Sequence, residues 1–377
     1  MKHQEGVIQQ HMRILYGVSG EGSGHSSRAK EMATHLAAQG HELHIVSYDR
    51  GYRVLHELFP ATQITGLHIV SRDNKVSIIR TVLHNLWLLP AGIRSFRRVR
   101  ALFNEFQPDC VITDFEPMTA RIAGQRHIPL ISLDNQHRMR YMHYDAPDHL
   151  RKDQRITENI IRMMVPKPDV ALATTFFQGP VKNDRTFLFP PILRSEVGSL
   201  QPTDGGFHLV YVTSGYDTLI ETLRQFPGEQ FVIYGYDRDL VEDNLQFRAF
   251  STMGFLQDLA AARSVIATAG FTLMSEAMYL QKPYLAFPMQ GQFEQQLNGL
   301  CLAQLGYGMN ATRADTRTLS EFLSRVPGFA EKLRDYSAGY SNDPAAARNT
   351  AICTKLDELL ADDAALLREY QSRRMSH

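Results

Sequence analysis

The chain has 377 residues, 40 basic against 40 acidic side chains, 44% hydrophobic content and 21% charged content. That length exceeds what one compact core usually holds, so two domains are expected. The neutral balance argues against a general nucleic-acid binder, and the ordinary composition indicates a soluble globular protein.

The charge is not evenly spread: residues 1–200 carry 25 basic and 19 acidic side chains, the remainder 15 and 21. The three cysteines, Cys110, Cys301 and Cys353, are far apart and lack metal-ligand spacing, which fits buried thiols in a reducing compartment. The segment Met1–His11 is polar and has no apolar signal core. No apolar run reaches the ~18 residues of a membrane-spanning helix. A cytoplasmic location is expected.

The first predicted element is a strand over Arg13–Val18. It runs into Gly20-Glu21-Gly22-Ser23-Gly24-His25, with a helix expected from about Ser26. Glycines let the backbone approach a ligand closely, and a helix start offers free N–H groups and partial positive charge. A histidine closing such a loop places an acid/base group at the ligand's reactive end. A dinucleotide fingerprint would need G-x-G-x-x-G with an acid about 20 residues on. Here the third glycine is out of register, although Asp49 follows the next strand, Leu43–Tyr48.

Further strands are expected over Ile64–Ile69, Cys110–Thr113, Leu130–Leu133 and Val170–Ala173, separated by amphipathic stretches such as Ser27–Gln39 and Thr119–Arg126. Between them, residues 76–103 are apolar and basic, with the only tryptophan, Trp87, and five arginines. Two readings stand for this stretch: a buried helix with a solvated basic face, or an interfacial helix meeting an anionic membrane surface. The segment Asp134–Met164 is dense in His, Arg, Tyr and Met.

Lys182–Thr203, with Pro190-Pro191 and a polar stretch after it, reads as a linker. A second α/β series follows, with strands over Leu209–Thr213, Phe231–Tyr234, Phe247–Phe250, Ser264–Thr268 and Tyr284–Phe287, a helix Gln257–Ala262 and a helical tail over Ala345–Tyr370 folding back on the first domain. The domains are therefore drawn as 1–200, 205–340 and a tail, 341–377. The fold class is α/β, with two Rossmann-like domains facing a central cleft. Loops after the strands should face that cleft. Asp237-Arg238-Asp239 imitates a metal-binding triplet but reads better as a solvated turn, and no metal or cofactor is expected.

Residues 267–298 read ATAGFTLMSEAMYLQKPYLAFPMQGQFEQQLN. Amides at Gly270–Thr272 can hold a pyrophosphate, and Glu276, one helical turn on, can accept two ribose hydroxyls. This segment resembles the donor site of inverting GT-B glycosyltransferases of the MurG and UDP-glycosyltransferase type. The matching residues are Gly270, Ser275-Glu276, Pro288, Glu294-Gln295 and Asn298, with Gly24-His25 matching the family's N-terminal loop.

The resemblance implies a nucleotide-sugar donor, UDP-linked, and an unidentified acceptor, with Asp134–Met164 expected to line the acceptor side and the acceptor membrane-proximal if residues 76–103 meet lipid. It assigns Glu276 to ribose, Glu294 and Gln295 to the transferred sugar, Phe255 and Leu256 to the base, and Ser214 and Gly215 to phosphate, beside Gly24, Gly270, Thr272 and Ser275. Thr268-Ala269 departs from the family's His or Arg-Ser before the loop glycine, so phosphate must rely on backbone amides. Thr268 also stands where retaining enzymes carry a second glutamate, which favours inversion. His25 is then the expected base, oriented or replaced by Asp114 or Glu116, with a phosphate contact as its competing role. A sugar-nucleotide 2-epimerase and a non-catalytic nucleotide-sugar binder are the alternative functions.

Overall fold

Apolar runs too short for helices, alternating with longer amphipathic stretches, assemble into two parallel sheets. In this computed structural model residues 11–66, 71–72, 75–76, 87–212, 217–336 and 349–375 are described. The strands of the first half are β1 (Arg13–Val18), β2 (Glu42–Ser47), β3 (Ala61–Gln63), β4 (Ser71–Arg72), β5 (Lys75–Val76), β6 (Cys110–Asp114), β7 (Leu130–Asp134), β8 (Val170–Thr174) and β9 (Thr186–Phe189). Seven of them form one parallel sheet in the order β3-β2-β1-β6-β7-β8-β9, while β4 and β5 pair separately. Every residue of β6, β7 and β8 is buried, as expected for strands covered on both faces.

The helices of this half are α1 (Gly22–Ala38), α2 (Asp49–Leu55), α3 (Leu89–Phe106), α4 (Pro117–Arg126), α5 (His137–Tyr141), α6 (Arg151–Met164) and α7 (Ser195–Gly198). On one face of the sheet α1 packs with Tyr16, Ile112 and Leu133. On the other, Val99 and Phe103 of α3 and Ile122 of α4 pack against Leu15 and Val111.

The second sheet contains β10 (Phe207–Tyr211), β11 (Gln230–Tyr234), β12 (Leu240–Glu242), β13 (Leu245–Phe247), β14 (Ser264–Ala267), β15 (Tyr284–Ala286) and β16 (Gly308–Asn310) in the order β12-β13-β11-β10-β14-β15-β16. Only its edge strand β12 runs antiparallel among the described pairs. Its helices are α8 (Asp217–Arg224), α9 (Thr252–Ala261), α10 (Phe271–Tyr279), α11 (Phe293–Leu305) and α12 (Thr316–Leu333). The last helix, α13 (Thr350–Met375), bends at 361–364 and returns to the first sheet. Its Ile352, Leu356, Leu360 and Leu367 complete the α1-side core, and Arg374 meets Asp169 at 2.5 Å. One apolar cluster crosses between the halves, joining Met139, Met142 and Phe177 to Phe271, Met274 and Phe293.

Several boundaries differ from the sequence reading for identifiable reasons. The first helix begins at Gly22, not near Ser26, because Gly22 adopts φ +72° and turns the chain straight from the strand into the helix. Gly22 and Gly24 therefore lie in the helix's first turn, and Gly20 precedes it. The third strand is Ala61–Gln63, ahead of the expected Ile64–Ile69, part of which lies outside the described residues. Thr186–Phe189, inside the stretch read as linker, pairs with β8 as the seventh strand. Helix α9 starts five residues before Gln257, capped by Ser251, which accepts from the Gly254 amide.

Candidate active site between the two sheets

The first half of the site is set by register. Val18 of β1 pairs with Asp114 of β6, so the end of β6 lies beside the start of α1. His25 and Arg28, one turn apart on α1, both reach Asp114. His25 Nδ1 lies 2.7 Å from Asp114 Oδ1, a contact that is attractive only if Nδ1 carries the proton. In the neutral ring Nε2 is then the unprotonated nitrogen, on a side chain 14% exposed. Arg28 donates to Asp114 through Nε at 2.9 Å and Nη2 at 2.6 Å. Burial acts to lower the Arg28 pKa, but the Asp114 carboxylate outweighs it and leaves the pKa raised.

Glu116 is corrected from catalytic candidate to helix cap. Its carboxylate accepts from the amides of Met118 and Thr119 at 2.8 Å each and from the Thr119 hydroxyl at 2.6 Å. This is the N-cap of α4, with Pro117 in the first turn. Burial pushes its carboxyl pKa up against those hydrogen bonds. Asp114, not Glu116, is the partner of His25.

The second half of the site is the N-terminus of α10, with Gly270 as N-cap. The glycine-rich turn comes directly against it: a Cβ at Gly24 would stand 2.6 Å from Thr272 Oγ1. Two helix starts thus converge, each with N–H groups that lack intrahelical partners. Gly20 is needed for a different reason, since a Cβ there would stand 2.0 Å from the Tyr48 carbonyl oxygen.

Other members of the sequence-derived donor set sit differently from expectation. Ser275 is buried and donates its hydroxyl to the Phe271 carbonyl at 2.7 Å, a bond within its own helix. Phe255 and Leu256 do not precede a helix. They lie inside α9, and Leu256 is fully buried in the core. Ser214 and Gly215 lie outside the described residues. Glu276 is 1% exposed and takes Arg194 Nε and Nη2 on its two oxygens, each at 2.6 Å. Burial pushes the Glu276 carboxyl pKa up, with Arg194 acting against it.

Glu294 opens α11 and faces the first half. It accepts from Asn135 Nδ2 at 2.5 Å and from Gln136 Nε2 at 3.4 Å. Asn135 Oδ1 in turn accepts from Arg28 Nη1 at 3.0 Å. A continuous polar chain therefore runs from His25 through Asp114, Arg28 and Asn135 to Glu294. Gln295 is partly turned inward, accepting the Met289 amide at 3.0 Å. Asn298 is fully buried and serves the domain contact: it accepts from Arg138 at 2.6 Å and donates to the Ala269 carbonyl at 2.9 Å. The Arg138 guanidinium also lies 4.5 Å from the centre of the Phe271 ring.

Sequence reasoning missed Arg28, Asn135, Arg138 and Arg194. Arg28 carried a weak signal, a charge one turn after His25 on the same helix face. Asn135 and Arg138 fall in the segment marked for the acceptor side. Arg194 had no local signal, because its partner lies 82 positions away.

Asp237 adopts φ +49° in the turn after β11, and Asp239 accepts the Ala249 amide at 3.0 Å. Among the described residues no three His, Cys, Asp or Glu groups converge on a metal-sized space. A cavity of about 720 Å³ lies between the halves, lined by Tyr144, Phe177, Cys301, Gln304, Tyr307 and Tyr336. None of the candidate site residues borders it. Of the basic, apolar stretch, residues 77–86 lie outside the described residues. On α3, Arg94, Arg97, Arg98 and Arg100 are exposed, as are Trp87, Leu89 and Ile93. No helix among the described residues is long and apolar enough to cross a membrane.

Comparison with known proteins agrees with this architecture. The model of glycosyl transferase family 1 matches residues 12–327. An uncharacterized glycosyltransferase of Methanosarcina mazei is 25% identical over 338 residues, covering 79% of this chain and 85% of its own length. One from Methanosarcina acetivorans is 24% identical over 326 residues, with the same coverage of 79% and 85%. Among solved structures, the calicheamicin glycosyltransferase CalG4 superposes with a TM-score of 0.65 at 14% identity, over 93% of this chain and 98% of its own. The spinosyn rhamnosyltransferase SpnG, complexed with thymidine diphosphate, gives a TM-score of 0.58 at 14% identity over 95% and 99%. At these identities the structural matches speak for the two-domain fold.

Proposed function

The chain belongs to glycosyl transferase family 1 and is a glycosyltransferase, and from that premise we propose that it moves a sugar from a UDP-linked donor to an acceptor hydroxyl with inversion at the anomeric carbon. The observation that carries this reading is the His25–Asp114 pair, 2.7 Å apart, beside the place where the starts of α1 and α10 meet.

Asp114 fixes the proton on Nδ1 and leaves Nε2 as the base. As the acceptor oxygen forms its bond to the anomeric carbon, Nε2 takes the acceptor proton. The bond from that carbon to the diphosphate breaks with its electron pair on the leaving oxygen. A single displacement of this kind inverts the centre, through a transition state with oxocarbenium character. The charge gathering on the diphosphate meets the free N–H groups and dipoles of the two helix starts, in the role a metal plays at other sites. Glu294, oriented by Asn135 and Gln136, accepts hydroxyls of the transferred sugar. Glu276 accepts the ribose hydroxyls, for which Arg194 must release its oxygens.

The exposed arginines of α3 beside Trp87, Leu89 and Ile93 favour a membrane-proximal acceptor. Sedimentation with anionic vesicles at low salt tests this, and a protein left in the supernatant removes it. The donor is tested by thermal stabilisation with UDP-, TDP-, GDP- and CMP-sugars, since a ligand bound only by the native state raises the melting temperature. The expected result is a shift with a UDP-sugar that Glu276→Gln abolishes. A shift confined to another nucleotide would replace UDP in the reading, and no shift with any would overturn the donor site. The anomeric configuration of the product, read by NMR, tests inversion.

A further inference from the structure

Glu276 presents an unusual problem for a ribose acceptor. Its two oxygens are both taken by the guanidinium fork of Arg194, and only 1% of the residue is exposed. A ribose diol offers two O–H donors to one carboxylate in the same parallel pattern that the fork uses. Diol and fork therefore compete for the same face of Glu276.

Arg194 belongs to neither sheet. It lies in the stretch between β9 and α7, and its neighbours tie that stretch to α1. The Ser195 amide and hydroxyl meet Glu31 Oε1 at 3.1 and 3.3 Å. Glu196 accepts Lys30 Nζ at 2.9 Å. The charges of Glu31 and Glu196 both act on the Arg194 guanidinium. Arg194 thus stands among three carboxylates, Glu276 on α10, Glu31 on α1 and Glu196 on α7. A guanidinium leaving Glu276 has acids next to it that hold its charge, so release does not require it to enter water unpaired.

We propose that Arg194 is an intramolecular competitor of the donor's ribose, holding Glu276 until a nucleoside diphosphate takes the carboxylate, and then pairing with Glu31 and Glu196. This rests on the assignment of Glu276 to ribose. It makes Arg194 a determinant of donor affinity: the apparent dissociation constant is raised by the fraction of molecules in which the carboxylate is occupied. It also connects the donor carboxylate with α1, the helix that carries His25.

The test is calorimetric titration of the full chain with UDP, TDP, GDP and ADP, using the wild type, Arg194→Gln and Glu276→Gln. Arg194→Gln is expected to bind its nucleotide about tenfold more tightly, and Glu276→Gln more weakly than wild type. The preference for UDP over 2′-deoxy-UDP should widen in Arg194→Gln, since a freed carboxylate takes both hydroxyls; a merely structural role would not move that ratio. Where Arg194→Gln fails to fold, Arg194→Lys, which keeps the charge but loses the fork, should show a smaller gain. Equal or weaker binding in the folded Arg194 variants, with binding lost in Glu276→Gln, overturns the competition alone. Unchanged affinity in Glu276→Gln overturns the ribose assignment and the competition with it, as does failure of every variant to bind any of the four diphosphates.

Discussion

Asp114 and Glu276 are both buried carboxylates gripped through both oxygens by an arginine, yet the two pairs are built differently. Asp114 draws its partners from within one domain: Arg28 and His25 lie on α1, and α1 is fixed to β6 through the β1–β6 register. Glu276 draws its partner from the stretch joining the two sheets. The Arg28 side chain is 5% exposed against 18% for Arg194. Asp114 is shared by two side chains, an arginine and a histidine, whereas Glu276 has a single tenant. The difference separates a preorganised group from an exchangeable one. A base must be held in one tautomer before substrate arrives, and fixed neighbours do that. A binding carboxylate can be held by a removable partner, which spares the cost of an unpaired buried charge while the site waits.

The comparison is broken most sharply at His25. If Asp114 exists to orient a base, His25→Ala should lower turnover at saturating donor by about 10²–10⁴-fold, with unchanged nucleotide diphosphate affinity and melting temperature. Near-normal turnover would reduce the pair to a structural contact. Next comes Arg28→Met, which removes the arginine from Asp114 at zero side-chain exposure and leaves it His25. Removing one partner of a buried ion pair costs about 3–5 kcal/mol, read as a lower urea midpoint with unchanged slope. Arg28 also donates to Asn135, so this variant should additionally weaken donor selection through Glu294. A loss below about 1 kcal/mol, the range of exposed pairs, would show that the Asp114 side is as replaceable as the other.

The contrast also governs what could be read from sequence. The α/β alternation was legible because buried parallel strands are continuous apolar runs, and β6, β7 and β8 all appeared within one residue of their observed ends. β9 was not, because Pro190-Pro191 and the polar stretch behind it obscured TFLF, whose pairing with β8 is a tertiary fact. In the site, His25 and Asp114 were legible as polar groups ending apolar strands and loops. Glu116 was misread because an N-cap glutamate before proline looks the same in sequence as a catalytic one. Phe255 and Leu256 were misplaced because the Ser251 cap, which starts α9 early, competes with an apolar pattern that fits either boundary. Arg194 could not be found by any local rule, since a contact 82 residues long leaves no period or motif.

The smallest effect tests the exchangeable side through the same connecting stretch. Lys282, just after α10, is buried and donates to the Thr203 carbonyl at 2.6 Å. Burial lowers its pKa to about 8 from 10.5, with Asp204 acting against the shift. The folded state therefore binds fewer protons than the unfolded chain between those two values, and stability from this group rises as pH increases through that window. Below about pH 8 the fold carries the ammonium at a cost; above about 10.5 both states are neutral and the gain is complete. Lys282→Met lacks this titration, so the stability of wild type relative to the variant should increase from pH 8 to pH 10 in paired urea melts. Taking the difference cancels the tyrosines and cysteines that titrate nearby. A flat difference would mean that Lys282 sheds its proton no more easily in the fold than in the unfolded chain. The connecting stretch would then open to water at Thr203 as well as being exchangeable at Arg194, and the second domain's hold on it would rest on Glu276 more heavily than on the end of the helix.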